Sequence, residues 1–548
     1  MKKNKIYNNV FYSLVIVIFC IMCYFMSQKE GYHEDEMFSY GSSNYKYDNV
    51  FQPYGHKDYI NSTIDEVIFN NGNVINNIVY YLKNPNEFMK ILDEKQSEEK
   101  PVWKTKQEAI EYVTIQQEDI LSFFSIYYNQ SRDAHPPLFY FMVHIVSIFF
   151  FGNFSKYIIF IINISLFVSC LIIIRKIFEL LDKKNLTVPT VILYGLSIGA
   201  ISTVIFQRMY MLLTFFIIYY TYINLSIVKN DFNINKNTRI KLIITIILGF
   251  LSQYYFCIYA LFMFVIMQII MLIKEKKSNC KTLLIYYLKS AIIGVLLFPA
   301  SIYHIFFSYR GVSNISNQYG IWDFFKIMCE SYSCNIILGI IILIIVAIVS
   351  IIILKQKEEY SLFILLFNTI GYLIIISKIS PYLDLRYIMG ILPIVAIIIA
   401  LTVDYICKRK TKLYIISIIL IVFSIINLTN KSPEYLYKGY NENIKIAKEN
   451  NTLKFIYIED NGFNHIQSMP EFMIYDESMI LNINKNELEY LENNKELENE
   501  KEFIVSIKKY LNVEEILKQI LEITKRNKYI LLLDGNNDTG NVIYKISY

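Results

Sequence analysis

Twelve apolar runs, each close to the length of a membrane span, constrain this chain more than any other feature. They lie near 9–27, 136–152, 157–174, 188–206, 208–228, 240–256, 257–273, 283–307, 335–354, 360–377, 386–406 and 412–428. A helix rises 1.5 Å per residue, so about 20 apolar residues cover the hydrocarbon of a bilayer. Of the 548 residues 54% are hydrophobic and 18% charged, with a mean hydropathy of +0.35. Soluble domains hold about half apolar and about a quarter charged residues. The excess sits in the runs, so the fold class is an all-α polytopic membrane protein. The first run follows MKKNK, and no small-residue cleavage site comes after it. It reads as an uncleaved first span.

Lysine and arginine mark cytoplasmic loops. They collect in MKKNK, 229–241, 274–281, 355–359 and 408–412. With those inside, the region 28–135, the surroundings of Arg208, SQYYF (252–256), the segment after Tyr303, 377–387 and the tail fall outside. Twelve simple crossings do not fit. They would return the tail to the cytoplasm and leave Arg175, Lys176, Lys183 and Lys184 outside. Either the run beginning HPPLFYF is re-entrant, or 188–206, interrupted at Gly195 and Gly199, forms two short helices. The expectation is an odd number of transmembrane helices, about 11 or 13.

This divides the chain into a transmembrane domain, 1–430, and a small soluble α/β domain, 431–548. The domain 1–430 contains a long first extracytoplasmic loop, 28–135. Structureless loops beyond about 15 residues are uncommon, so that loop needs helices of its own. The periodicity of 108–129 predicts one lying along the interface. In the tail, LKFIYIED, EEILKQILEITKRNKYILLLDG and NVIYKISY predict strand, helix–strand and strand. Of eight cysteines most lie in apolar runs as packing residues, and only Cys329 and Cys334 share a polar segment. A disulfide there requires that segment to be outside. There is no CxxC pair and no zinc spacing. The net charge of +5 is spread over loops, and no nucleic-acid partner is expected.

The unusual polar residues stand at the outer ends of the runs. HEDEMFSY after the first span places Glu34, Asp35 and Glu36 beside His33. An acidic turn capping a helix is the plain reading, and its position at the mouth of a span is what raises it. SRDAHPPLFY brings Arg132, Asp133 and His135 before a Pro-Pro helix start. Arg208 has apolar sequence on both sides, which is costly unless it snorkels, pairs with an acid or binds an anion. Asp384 and Arg386 open another span, and SQYYF, His304 and Arg310 are weaker candidates. His144, on an apolar face, reads as packing. Carboxylates with arginines that fork onto phosphate oxygens are the inventory for glycosyl transfer from a lipid phosphate. A carboxylate takes the acceptor hydroxyl's proton, and arginines hold the departing phosphate.

The ordered set Asp35-Glu36, Asp133-x-His135-Pro136-Pro137-Leu138, Arg208-x-Tyr210 and Arg386-Tyr387 with Pro393 resembles the GT-C glycosyltransferases. More narrowly it resembles the family of protein O-mannosyltransferases and lipid A aminoarabinose transferases. The resemblance covers 1–410 and leaves out the tail. It implies an inverting glycosyltransferase that uses a polyprenyl-phosphate-linked sugar and a lipid, protein or glycan acceptor. Its place would be the bacterial plasma membrane, with the active site and the C-terminal domain extracytoplasmic. By the same resemblance Asp35 is the base, with Glu36 and Asp133 as further acids. His135, Arg208, Tyr210, Arg386 and Tyr387 bind donor phosphate and substrate. The resemblance leaves a divalent metal open, and Glu34 competes for the role of base. The main rival is a transporter or flippase of lipid-linked or small-molecule substrates. Many transporters show duplicated halves, which this sequence lacks, and transport would need mid-span charges, of which the runs are nearly free. A non-enzymatic scaffold would not need the motifs to meet.

Overall fold

The computed structural model describes residues 2–548 apart from 49, 55–62, 64, 70–71, 98–99, 309–318, 357–359, 408–418, 423–425, 427 and 493. Arg310 and most of the run 412–428 lie outside the described residues. The chain forms two compact units. The first gathers Met1–Lys29, Ile126–Val146 and Ser155–Leu436, and the second gathers Glu30–Ser125, Ser147–Phe154 and Tyr437–Tyr548.

The first unit is a multi-pass helical bundle. Among the described residues eight helices are long and apolar enough to cross a membrane. They are Ile6–Ser27, Tyr157–Leu180, Tyr210–Lys229, Tyr255–Ile273, Lys277–Leu297, Ile336–Lys355, Ser361–Ile379 and Met389–Ile406. The pair Lys184–Gly195 and Ile198–Ile205, bent by 64°, is long and apolar enough to cross only when taken together. The bend falls where Ser197 ends one ladder and starts the next, its hydroxyl accepting Ala200 N–H at 3.1 Å. Helix Lys236–Ser252, at 17 residues, packs between Tyr210–Lys229 and Lys277–Leu297.

Side-chain contacts fix which helix ends lie together. Arg175 donates to Asn8 Oδ1 (2.8 Å). Lys229 pairs with Asp182 (2.8 Å), Lys276 with Asp231 (2.6 Å) and Lys183 with Asp404 (3.2 Å). The N-terminus and the basic loops therefore share one end of the bundle. At the other end Lys156 Nζ donates to the carbonyl of Ser27 (3.2 Å) and to that of Lys29. The chain thus leaves the first span and enters Tyr157–Leu180 at the same end. The run 136–152, a short apolar helix over Leu138–Phe150, does not cross between them. Of the two alternatives raised by the odd count, the contacts fit the first: the 136–152 run turns back, while 188–206 is bent within one apolar helix pair.

The second unit is a six-stranded sheet with helices on both faces. Its strands are β1 (Lys104–Thr105), β2 (Lys454–Glu459), β3 (Glu477–Asn482), β4 (Glu502–Lys508), β5 (Lys528–Asp534) and β6 (Asn541–Ser547), in the order β1-β3-β2-β4-β6-β5. β2 runs parallel to β3 and β4, and the other pairings are antiparallel. Successive residues of a strand face opposite ways, and KFIYIE in β2 uses both faces. Ile456 and Ile458 join Val505, Ile516 and Ile520 in one core, under helix Val513–Thr524. Phe455 and Tyr457 face an aromatic layer, with Phe455 stacked on Tyr475 at 4.3 Å and Tyr457 5.8 Å from Phe472. Phe51 and Tyr112 continue that layer. The stretch 108–129 is two helices, Lys106–Val113 and Phe123–Arg132, with a break where Thr114 caps the first.

Candidate active site

The predicted site residues fall in both units. The first holds Asp133, His135, Arg208, Tyr210, Arg386 and Tyr387, and the second holds Asp35 and Glu36.

In the first unit the DxHPP segment forms the turn between helices Phe123–Arg132 and Leu138–Ser147. His135 Nδ1 lies 2.8 Å from Asp133 Oδ2, and its Nε2 lies 3.5 Å from Arg208 Nη2. A carboxylate accepts and a guanidinium donates. The two contacts together fit a ring that carries a proton on Nδ1 and turns Nε2 toward Arg208. Arg208 is 3% exposed and also donates to Tyr140 Oη at 3.1 Å. An arginine in apolar sequence keeps its charge in such a place only through partners of this kind. His304 secures the same turn, Nε2–H donating to the Ser131 carbonyl (3.0 Å) and Nδ1 accepting from Tyr254 Oη (2.9 Å). The weaker candidates His304 and SQYYF thus act as supports of the Asp133 segment.

The Arg386 group is built alongside. Asp384 Oδ1 caps the one-turn helix Leu385–Tyr387 by accepting Arg386 N–H (2.9 Å) and also accepts Tyr435 Oη at 2.6 Å. Its other oxygen stands 3.6 Å from Arg386 Nε. The Arg386 guanidinium lies over the rings of Tyr387 and Tyr382, at 5.2 and 5.7 Å. Tyr435 stacks on Phe206 at 4.0 Å, and Phe206 on Tyr210 at 5.7 Å. This aromatic column links the Asp384–Arg386 turn to the Arg208 turn. Lys29, 2% exposed at the end of the first span, donates to the Tyr435 carbonyl. The motif reading passed over Lys29 and Tyr435; a lysine directly after an apolar run was the available signal for Lys29.

In the second unit helix Glu34–Asn44 begins with a capping box. Glu36 Oε2 accepts His33 N–H (2.7 Å), and His33 Nδ1 accepts Asp35 N–H (3.0 Å). Glu36 is fully buried, whereas the Asp35 side chain is a quarter exposed. The turn is propped from the tail. Gln467 donates to the Tyr32 carbonyl (3.1 Å), and Lys508, 5% exposed, donates to Gln467 Oε1 and to the Thr539 carbonyl (both 3.0 Å). Burial pulls the Lys508 ammonium down to about 8, against the attraction of Glu471, Glu34 and Glu459. Below it His465 sits between Glu459 (3.1 Å) and the Phe51 carbonyl (2.8 Å). Cys329 and Cys334 are free thiols. Among the described residues no group of three or more His, Cys, Asp or Glu side chains is arranged to hold a metal ion.

No family model matches the chain, and no curated protein matches it. Solved structures similar in trace include ArnT from Cupriavidus metallidurans in the apo state, with a TM-score of 0.47 and 9% identity, covering 81% of this chain and 93% of that one. The same protein bound to undecaprenyl phosphate gives 0.47 and 8%, covering 75% and 87%. The Archaeoglobus fulgidus oligosaccharyltransferase, in complex with Zn and sulfate, gives 0.42 and 13%, covering 75% and 64%. At these values the likeness is one of chain trace, and the chemistry rests on the side chains described above.

Proposed function

We propose that this protein is a membrane glycosyltransferase that moves a sugar from a polyprenyl-phosphate donor to an extracytoplasmic acceptor, with inversion. The observation that carries the reading is the pair of buried arginines, Arg208 and Arg386, each held by a carboxylate-anchored turn at the end of the bundle away from the basic loops. By the positive-inside rule that end is extracytoplasmic. Two guanidiniums and Lys29 supply positive charge where a phosphate would gather charge on leaving, and a prepositioned charge needs no reorganisation during reaction. Asp133 fixes the His135 ring so that Nε2 steadies Arg208, which makes the aspartate a positioning residue. Tyr210 and Tyr387 flank the two arginine turns. A lipid chain also has a place. An apolar cavity of about 290 Å³, lined by Phe325, Met328, Ile342, Val346 and Ile398, opens among the spans. Its helix Ile321–Ser331 also touches Tyr387 through Phe324, at 6.5 Å.

The base in this reading is Asp35. Glu36 spends one oxygen capping its own helix and is fully buried, while Asp35 keeps partial exposure. Inversion follows from direct attack of the acceptor oxygen on the anomeric carbon as the phosphate leaves. The test is release of radiolabelled sugar from polyprenyl-phosphate donors in membranes carrying the chain, wild type against Asp35→Asn. Label transferred by wild type and lost in a stably inserted Asp35→Asn supports both reaction and base. Turnover that survives the substitution moves the base to Glu34, Glu36 or Asp133, and inertness toward a broad donor panel removes the transferase reading.

A further inference from the structure

The second unit carries a polar cleft that the proposed chemistry leaves unused. Its volume is about 630 Å³, within the range of small-molecule sites. The cleft lies at the C-terminal end of helix Glu34–Asn44, whose N-terminal turn holds Asp35. Its walls combine aromatic faces with planar polar groups: Tyr47 and Phe151, half-open to solvent, and Glu111, Gln117 and Glu118. Lys46 also lines the cleft but is paired with Asp119 at 2.7 Å.

Two observations point to a ligand. Tyr47 has φ of 54°, a left-handed conformation that a bulky residue rarely adopts. Its N–H is tied to Ser125 Oγ (2.7 Å), and its ring is 37% exposed. Such strain is usually held where it presents a side chain for use. Independently, Asn44 is 4% exposed and lines the cleft. Its amide donates to the Val113 carbonyl (3.0 Å) and Ser147 Oγ (3.2 Å), while its Oδ1, buried, has no hydrogen-bond partner.

We propose that this cleft binds a sugar unit of the acceptor, neutral or amino-bearing and not phosphorylated. A pyranose offers one apolar face for an aromatic ring and a rim of hydroxyls for carboxylates and amides, which is the set present. The lining has one cation against three carboxylates, so a phosphorylated ligand would be repelled. The name acceptor rests on the transferase reading, but sugar binding does not.

The experiment measures binding of a panel of neutral and amino-bearing trisaccharides to the intact, detergent-purified protein. Saturation-transfer NMR is run without any lipid donor, with a sugar phosphate and a cationic peptide as comparisons. Tyr47→Gly removes the ring at a position whose backbone suits glycine, so the fold is kept. Tyr47→Phe retains the platform. The expected result is binding of at least one trisaccharide, weakened about tenfold or more by Tyr47→Gly and by Glu118→Gln, and retained by Tyr47→Phe. Failure of every trisaccharide, preference for the sugar phosphate or the peptide, or binding indifferent to Tyr47→Gly and Glu118→Gln would overturn the proposal. Because no donor is present, a failed transferase assay and a failed binding assay are separate results.

Discussion

Gly41 sits in the middle of helix Glu34–Asn44, and a methyl there meets the Tyr112 ring. An added Cβ would lie 2.5 Å from Tyr112 Cε2 and closer still to Cζ and Oη, where ordinary contact begins at 3.4 Å. Tyr112 has nowhere to retreat. It is fully buried and in edge contact with Tyr45 at 5.4 Å, with Phe51 at 5.7 Å on another side. Overpacking of this kind costs about 1–3 kcal/mol, and an overlap this deep against a buried ring belongs at about 2–3. Alanine's helix propensity returns at most about 1 kcal/mol, so packing wins and Gly41→Ala destabilises the second unit by about 1–2 kcal/mol. For a unit of roughly 200 residues that is a fall in melting temperature of about 2–8 °C. Scanning fluorimetry of the purified protein reads it. Gly462→Ala, which meets nothing within 4 Å, serves as the neutral control. Trimming the obstacle with Tyr112→Leu should make the double variant less destabilised than the sum of the singles. Asp35 heads the same helix, so a displacement near 1 Å should also lower sugar transfer by up to about 100-fold. A Gly41→Ala protein that melts with or above wild type, or strict additivity with Tyr112→Leu, would refute the packing argument.

Three further outcomes are expected. Asp133→Asn removes the charge that orders the His135 ring, and sugar transfer should fall about 10- to 100-fold with the melting temperature held, a loss of the size seen for partners that orient a functional histidine. Arg208→Lys and Arg386→Lys keep the charge but lose the fork; donor KM should rise at least about tenfold in each, measured with labelled lipid donor. Burial raises the Glu471 carboxyl to about 7 from 4.5, so the fold keeps a proton that the unfolded chain has released. That penalty on stability is absent below about pH 4.5, grows as pH rises, and is complete above about 7, where it reaches about 3 kcal/mol. Glu471→Gln should flatten the pH dependence of melting between 5 and 7, and an unchanged slope would assign it to other groups. Lys508, lowered to about 8, acts in a separate window, costing stability as pH falls from 10.5 through 8.

Much of the bundle was legible because its signals are local. A run of apolar residues marks a helix wherever its neighbours are, and among the described residues eight of the twelve runs hold a helix long enough to cross; 136–152 is a short helix that does not cross and 188–206 is bent. The lysine bias put the N-terminus and the basic loops on one side, and the Arg175–Asn8 and Lys229–Asp182 contacts bring them to one end of the bundle. The sheet was half legible for the opposite reason. β2, β5 and β6 are apolar enough to stand out, but ESMILN and EFIVSIK flank a stretch crowded with Asn, Lys and Glu. β1 is two residues, Lys104–Thr105, and owes its strand to Glu477 and Ser478, which no local pattern foretells. The 108–129 helix failed by the same logic, because periodicity continued across Thr114–Gln116 while the backbone did not.

The candidate site divides along that line as well. Asp133, His135, Arg208 and Arg386 could be picked out because an ionisable residue beside an apolar run is costly and so needs a reason. What makes them a site is supplied by residues with no such mark. Tyr140 and Tyr435 are two of 46 tyrosines, and nothing in their own sequence separates them from those that fill the core; Tyr254 was marked only as part of SQYYF, without its partner. Each matters through a partner far along the chain: Tyr140 through Arg208, Tyr254 through His304, Tyr435 through Asp384. The charged residues state what chemistry the bundle end can do, and the tyrosines fix where those charges stand. A motif reading therefore picks out the charged groups before it reaches the geometry that holds them. The proposed sugar cleft is less legible still, because a lining of Tyr47, Gln117 and Phe151 spends no unusual residue and comes together only once the chain is folded.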